Sequence, residues 1–225
     1  GAAFLIAEVD NRGRVTQGAL HVDDLKLMDA AGEDLLSAAK VRASTHLRGS
    51  GAVPHENPAL DVWLEAKIVT LGPPVQSPLG ARLDEVGFSA AINGALPDTF
   101  SKESVDAWRR DGGTVELALF HLAWGALDLH ANGTMALDEL MRPLGAVSAE
   151  IKGYGETLAA LERAQILPRK TAAGSRLALD LLSRPDGSGG GRVVTIPVSA
   201  QNGALYLGPV RMVRLEPIPF PARQD

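Results

Sequence analysis

The chain has 225 residues, 27 acidic against 22 basic, a formal net charge of −5 and no cysteine. The acidic balance argues against a nucleic-acid binder, which carries a basic patch, and the missing cysteines exclude disulfides, thiolate nucleophiles, cysteine-ligated zinc and iron–sulfur clusters. Apolar residues at 45% exclude wholesale disorder, and no apolar run reaches the roughly 18 to 20 residues that a membrane-spanning helix needs.

The sequence opens with Gly1-Ala2-Ala3, lacks a starting Met, and runs directly into the strand-like stretch Phe4-Leu5-Ile6-Ala7-Glu8-Val9. Such a start points to a signal or anchor removed upstream. From there the dominant pattern is period-two alternation, the mark of strands with one buried face. Its clearest instance puts Leu60, Val62, Leu64, Ala66 and Ile68 on one side and Asp61, Trp63, Glu65 and Lys67 on the other. Shorter runs follow at Val115, Leu117 and Leu119, at Leu127 and Leu129, at Val147, Ala149 and Ile151, at Val194, Ile196 and Val198, and at Leu205 and Leu207. Turn signals separate them: Asn11-Arg12-Gly13, Asn132-Gly133, Asn202-Gly203 and the glycine-rich loop Asp186 to Gly191. Asn-Gly pairs favour tight hairpins, so the strands should form an antiparallel meander. A Gly-Ala-Leu motif recurs at Gly18, Gly125 and Gly203 at unequal spacing, which reads as turn glycines restarting hairpins rather than as a solenoid repeat.

Three helices are expected. The first spans 101–111, capped by Ser101, with Val105 and Trp108 on one face and Gly112-Gly113 ending it. The second spans 156–166 with a stripe of Leu158, Leu161 and Ala164. The third spans 169–184 between Pro168 and Pro185, with Leu177, Leu181 and Leu182 as its apolar residues. The last two are separated by a few residues and should pair as an αα-hairpin whose apolar stripe buries on the sheet.

The residues offer no catalytic signature. Five histidines stand at positions 21, 46, 55, 121 and 130, with no H-x-x-x-H spacing that would set two ligands on one helix face. His121 and His130 become cross-strand neighbours if Trp124-Gly125 is a turn, with Asp128 the nearby carboxylate. Without further ligands they read as histidines of a solvated strand face, so no metal is assigned. Adjacent carboxylates such as Asp23-Asp24 and Asp138-Glu139 face opposite sides of a strand or wet a turn. The loop Gly187 to Gly191 lacks the Lys-Ser/Thr ending and the following helix of a phosphate loop. Trp63 stands out on the polar side of its strand, either under a second layer or exposed for contact.

From Val105 to Ile218 the order becomes familiar. It runs through Asp106-Ala107-Trp108-Arg109-Arg110-Asp111-Gly112-Gly113, Trp124-Gly125-Ala126-Leu127, Ala131-Asn132-Gly133-Thr134-Met135 and Ile151-Lys152-Gly153-Tyr154. A helical pair, Val194-Thr195-Ile196-Pro197-Val198 and Asn202-Gly203-Ala204-Leu205-Tyr206-Leu207 complete it. This pattern resembles the domain of unknown function family 2125 of Gram-negative bacteria, and more distantly the AsmA-like envelope proteins. The resemblance implies a periplasmic, β-rich body, a missing N-terminal anchor to the inner membrane, a shortened first part of the family domain, and lipid handling by analogy; it carries no catalytic residue.

The sequence therefore predicts one α+β domain over 1–225. Its core would be a predominantly antiparallel, curved sheet, with an αα-hairpin and one further short helix packed on it. The expected role is non-enzymatic and needs no cofactor. Leu60, Val62, Leu64, Ile68, Val115, Leu117, Leu119, Leu127 and Leu129 form an apolar face for a lipid or other amphipathic ligand. The alternative is an envelope scaffold that binds another protein through a sheet edge or Trp63. A hydrolase whose residues meet only in three dimensions ranks last.

Overall fold

The computed structural model describes every residue except 12–14, 49–54, 56, 74–76, 97–100, 188–190, 209 and 221–225, together with the side chains of 210 and 212. Five long strands come first: β1 (Ala3–Val9), β2 (Val15–Met28), β3 (Asp34–Leu47), β4 (Pro58–Leu71) and β5 (Arg82–Asn93). Helix α1 (Lys102–Arg110) leads into β6 (Thr114–Trp124), β7 (Leu127–Leu137) and β8 (Pro143–Lys152). Helices α2 (Tyr154–Arg163) and α3 (Arg169–Leu182) then precede β9 (Arg184–Pro185), β10 (Arg192–Gln201), β11 (Ala204–Leu207) and β12 (Val210–Arg214). Apart from the two-residue β9, which pairs with β10, the strands stand in a single sheet in chain order, all antiparallel, with β1 and β12 at its edges. The expected meander and the three expected helices are all present, and strand outweighs helix.

Register converts the alternation into two faces. Val22, Val41, Ala66, Val86, Leu122, Leu129, Ile151 and Val194 pair in succession across eight strands. The parallel row Leu20, Ala43, Leu64, Phe88, Phe120, Ala131, Ala149, Ile196 is equally free of charge. The intervening row, on the opposite face, reads His21, Arg42, Glu65, Gly87, His121, His130, Glu150, Thr195. One side of the sheet is thus apolar across its width, and the other carries the ionisable groups.

Two expected members of the apolar face leave it, both because a strand slips phase. Ile68 has φ 52° and stands 43% exposed, while Val69 is buried beside Ala66. The inward set steps by three residues there, from Ala66 to Val69, and the same step occurs from Val22 to Leu25, Val41 to Ala38 and Val86 to Leu83. Because all four strands slip along one line, their mutual register is kept (Leu25↔Ala38, Ala38↔Val69, Val69↔Leu83). Strict alternation carries Ile68 inward on paper, but the slip turns it out. Leu119 is displaced by a bulge in β6. Leu117 pairs with Ala90 and Leu119 with Ser89, so Ala118 is the extra residue and Phe120 takes the inward place. Leu119 points outward, 44% exposed.

Two turn signals are also overruled. Asn132-Gly133 lies inside β7, and Gly18 inside β2. Gly133 has φ 157°, and a Cβ there would collide with the Ala146 carbonyl of β8, so the glycine serves a close strand approach rather than a turn. At Gly125 and at Asn202-Gly203 the predicted turns form, with positive φ at all three residues. Asn11 is described, whereas Arg12 and Gly13, and the middle of the Gly187 to Gly191 loop, lie outside the described residues.

The helices lie over part of the apolar face. Ser101 caps α1 by accepting from the Ser104 amide at 3.2 Å, and Val105 is buried. Trp108 donates Nε1–H to the Asn93 carbonyl at 2.8 Å and lies against Gly113, where a Cβ would collide with the indole. Helices α2 and α3 touch each other. Tyr154 and Leu179 close over Val194 and Ile196, with Val194 fully buried. The expected leucine stripe of α3 does not do this work. Leu177, Leu181 and Leu182 are exposed, because Ala172 and Leu179, seven apart and so two turns along one face, are the residues that turn inward.

Candidate functional site

Between α1 and the α2–α3 pair the apolar face stays uncovered enough to hold two cavities. The larger, about 390 Å³, is lined by Ile92, Leu96, Val105, Trp108, Val115, Met135, Ala136, Leu137, Pro143 and Ile218. The smaller, about 220 Å³, is lined by Leu117, Phe120, Ala131, Met135, Gly145, Ala146, Val147, Val198, Ala200 and Leu205. Met135 belongs to both, so they run in series along β6 and β7. Among the described residues no ionisable side chain lines either one.

The sequence explains why the space exists. Inward positions of the middle strands carry small residues: Ala131, Gly133 and Gly145, with Ala200 next in line. Small groups there, flanked by Val115, Leu117 and Phe120, leave a trough with apolar walls. The β7–β8 turn forms the rim. Asp138 accepts from the amides of Leu140 and Arg142, each at 2.9 Å, and its other oxygen receives the Arg142 guanidinium at 2.7 Å. Burial works against this carboxylate. The hydrogen bonds from the Arg142 side chain and from both amides outweigh burial and hold its pKa below the ordinary value of 3.8. The Met141 carbonyl accepts from the Ile218 amide at 2.9 Å, which docks the C-terminal segment over the larger cavity. Asn93, adjacent to Ile92, keeps a buried Oδ1 that has no hydrogen-bond partner among the described residues.

The expected face residues divide accordingly. Val115 and Leu117 line the cavities, one in each. Leu60, Val62, Leu64, Leu127 and Leu129 lie on the same apolar side, half-buried, away from the cavity walls. Ile68 and Leu119 lie outside it. Trp63 stands on the polar face, 36% exposed, in one row with Ser44, Ser89 and Leu119. Met135, Phe120, Val198 and Ala200 were missed as lining residues; Met135 carried a usable signal, since it continues the alternation of Leu127, Leu129 and Ala131.

A third cavity, about 480 Å³, lies between Lys152, the start of α2 and Arg192. Two of its three lining cations are engaged: Lys152 bridges Asp186 at 2.9 Å, and Arg192 donates to Ser183 and to the Asp180 carbonyl; Arg176 also lines it. No helix among the described residues is long and apolar enough to cross a membrane.

Neither the curated proteins nor the solved structures contain a match to the chain. A family model described as an uncharacterized protein conserved in bacteria (DUF2125) matches residues 5–216, and the chain belongs to that family.

Proposed function

We propose that the protein is a non-enzymatic binder of an amphipathic ligand whose acyl chain lies along the apolar face between α1 and the α2–α3 pair. The carrying observation is the pair of cavities joined at Met135. Their combined size falls in the range of small-molecule sites, about 300–1,000 Å³, and each methylene moved from water into them contributes about 0.8 kcal/mol. The described lining residues, all apolar or glycine, favour carriage of an apolar chain. By the resemblance to AsmA-like envelope proteins we infer a role in the Gram-negative periplasm, with the full-length protein anchored at the inner membrane. The finer architecture belongs to the same reading. In it the sheet is curved, its register shifts in β2, β4, β5 and β6 acting as bends, and α2 with α3 acts as a helical hairpin closing one end of the trough.

Titration with a fluorescent fatty acid, alongside native mass spectrometry of gently purified protein, tests this. The wild type should bind, and Met135→Glu and Leu117→Glu should each weaken binding at least about tenfold, since a carboxylate in an apolar slot opposes the chain. Retained folding with unchanged probe binding in both variants, and no co-purified lipid, would remove the proposal.

A second reading has its own observation. Every residue of β1 is exposed, Leu5 at 75%, and among the described residues its outer edge pairs with no strand. A long apolar edge of this kind is a template for a partner strand. With Trp63 it supports the scaffold role, which a lipid-free native mass together with a stoichiometric protein partner would favour.

A further inference from the structure

On the opposite face of the sheet, and independent of the lipid reading, His121 of β6 and His130 of β7 stand directly paired across the Gly125 turn. Their rings stack with centroids 4.2 Å apart and planes inclined by 16°. Nε2 of each lies 3.1 Å from the same oxygen, Asp128 Oδ1. One nitrogen from each ring and this oxygen all fall within 4.8 Å of one another. On its far side His121 Nδ1 meets Glu85 Oε1 at 3.3 Å, and Glu85 is in turn held by Lys67 Nζ at 3.5 Å.

We propose that His121, His130 and Asp128 form a binding site for a borderline divalent transition metal, Zn²⁺ being the reference ion, with Glu85 as the positioning residue. Glu85 sets its carboxylate against Nδ1 of His121, the outer-shell contact that orients metal-ligating histidines generally. Nε2 of His121 and Nε2 of His130 converge from paired strands on Asp128 Oδ1, each at 3.1 Å. That separation is close to the edge of a ligand tetrahedron built on bonds of about 2.0–2.1 Å, roughly 3.3 Å. Two imidazoles and one carboxylate suit zinc and its neighbours and do not suit calcium or magnesium, which take oxygen. Neighbouring charges leave the site free for a metal: Lys152, in register with Asp128, is committed to Asp186, and Glu150, in register with His130, is committed to Arg184. His121 is half-buried, 19% exposed, and His130 more open at 42%, so an ion can enter from solvent while both ligands stay fixed on paired strands. Three protein ligands leave a fourth position for water.

The test is isothermal titration of the chelator-dialysed full chain with Zn²⁺ alone, repeated with Co²⁺ while recording the visible spectrum. The wild type should bind one ion, with cobalt giving the absorption bands of a tetrahedral nitrogen–oxygen site. His130→Gln and His121→Ala should each lower affinity at least about tenfold and abolish the cobalt bands. Glu85→Gln should weaken zinc about tenfold while keeping the bands. Circular dichroism guards the comparison, and Asp128→Asn, which keeps a side chain of the same shape, replaces any variant that unfolds. Absence of saturable zinc binding to the wild type would overturn the proposal, as would equal affinity in folded variants, since His21, His46 and His55 would then account for it.

Discussion

The two ends of the sheet are written in the same alternating code and end up in different surroundings. At the β8–β10 end, Val194 and Ile196 lie beneath Tyr154 and Leu179 and are buried, Val194 completely. At the β1–β2 end, Leu20 belongs to the same apolar row as Ile196 yet is 38% exposed, and Phe4, Leu5 and Ile6 are more exposed still. Alternation decides which way a side chain points. Whether that direction is an interior depends on a second layer, here supplied by residues 154–182, a stretch remote from the first strands. The sheet therefore has a sealed end, a partly open middle with cavities, and a bare end.

The largest expected effect follows from the sealed end. Val194→Asp places an unpaired carboxylate under the helices and should cost several kcal/mol, on the order of 4 or more, whereas Leu20→Asp keeps its charge wet and should cost about 1 kcal/mol or less. Urea denaturation of both variants measures the difference. Equal losses would mean that the helices do not seal their end, and the comparison would fail.

Much of this was legible in the residues. The meander order, the three helices and the apolar identity of the face followed from period two, period 3.6 and helix-ending glycines and prolines. The failures share one physical origin. Ile68 and Leu119 were assigned inward because alternation was extended through points where the strand slips by one residue, and a slip exchanges the faces of everything beyond it. For β2 to β5 the clue was present but distributed: Val22 to Leu25, Val41 to Ala38, Ala66 to Val69 and Val86 to Leu83 are each three apart, visible only once the strands are aligned. The leucines of α3 were assigned to the core because they are leucines. Ala172 and Leu179 won that face by position, and a small residue lets the helix approach closely. The β6 bulge gives a direct check. Phe120→Asp should destabilise by about 2–3 kcal/mol and Leu119→Asp by less than about 0.5, as read by thermal melts. The reverse order would restore strict alternation.

A middle-sized effect belongs to the rim of the trough. Asp138→Asn removes the carboxylate that orders the β7–β8 turn and should cost about 1.5–3 kcal/mol near neutral pH, the usual range for hydrogen bonds to a charged group. Because the folded pKa of Asp138 lies below 3.8, its stabilising contribution is complete above that value and is lost as pH falls through the folded pKa. The gap between wild type and variant should therefore narrow only in strong acid. A gap that closed already between pH 7 and pH 5 would assign the turn's order to some other group.

The smallest effect concerns the outer side of the helical cover. Leu177, Leu181 and Leu182 lie on α3 at 64%, 79% and 68% exposure, while the same helix buries Ala172 against its neighbours. If the inward face alone attaches α3, Leu181→Gln removes no packed contact and exchanges one good helix former for another, so stability should change by less than about 0.5 kcal/mol. Ala172→Gln, made beside it, inserts a long polar side chain where the helix meets its neighbours and should cost about 1–3 kcal/mol. The pair of substitutions isolates orientation from composition, since both end in glutamine on one helix. Comparable losses in the two would mean that the leucine side of α3 is itself packed in solution, by a partner or a second copy of the chain. A dependence of the Leu181→Gln effect on protein concentration would then identify the second copy.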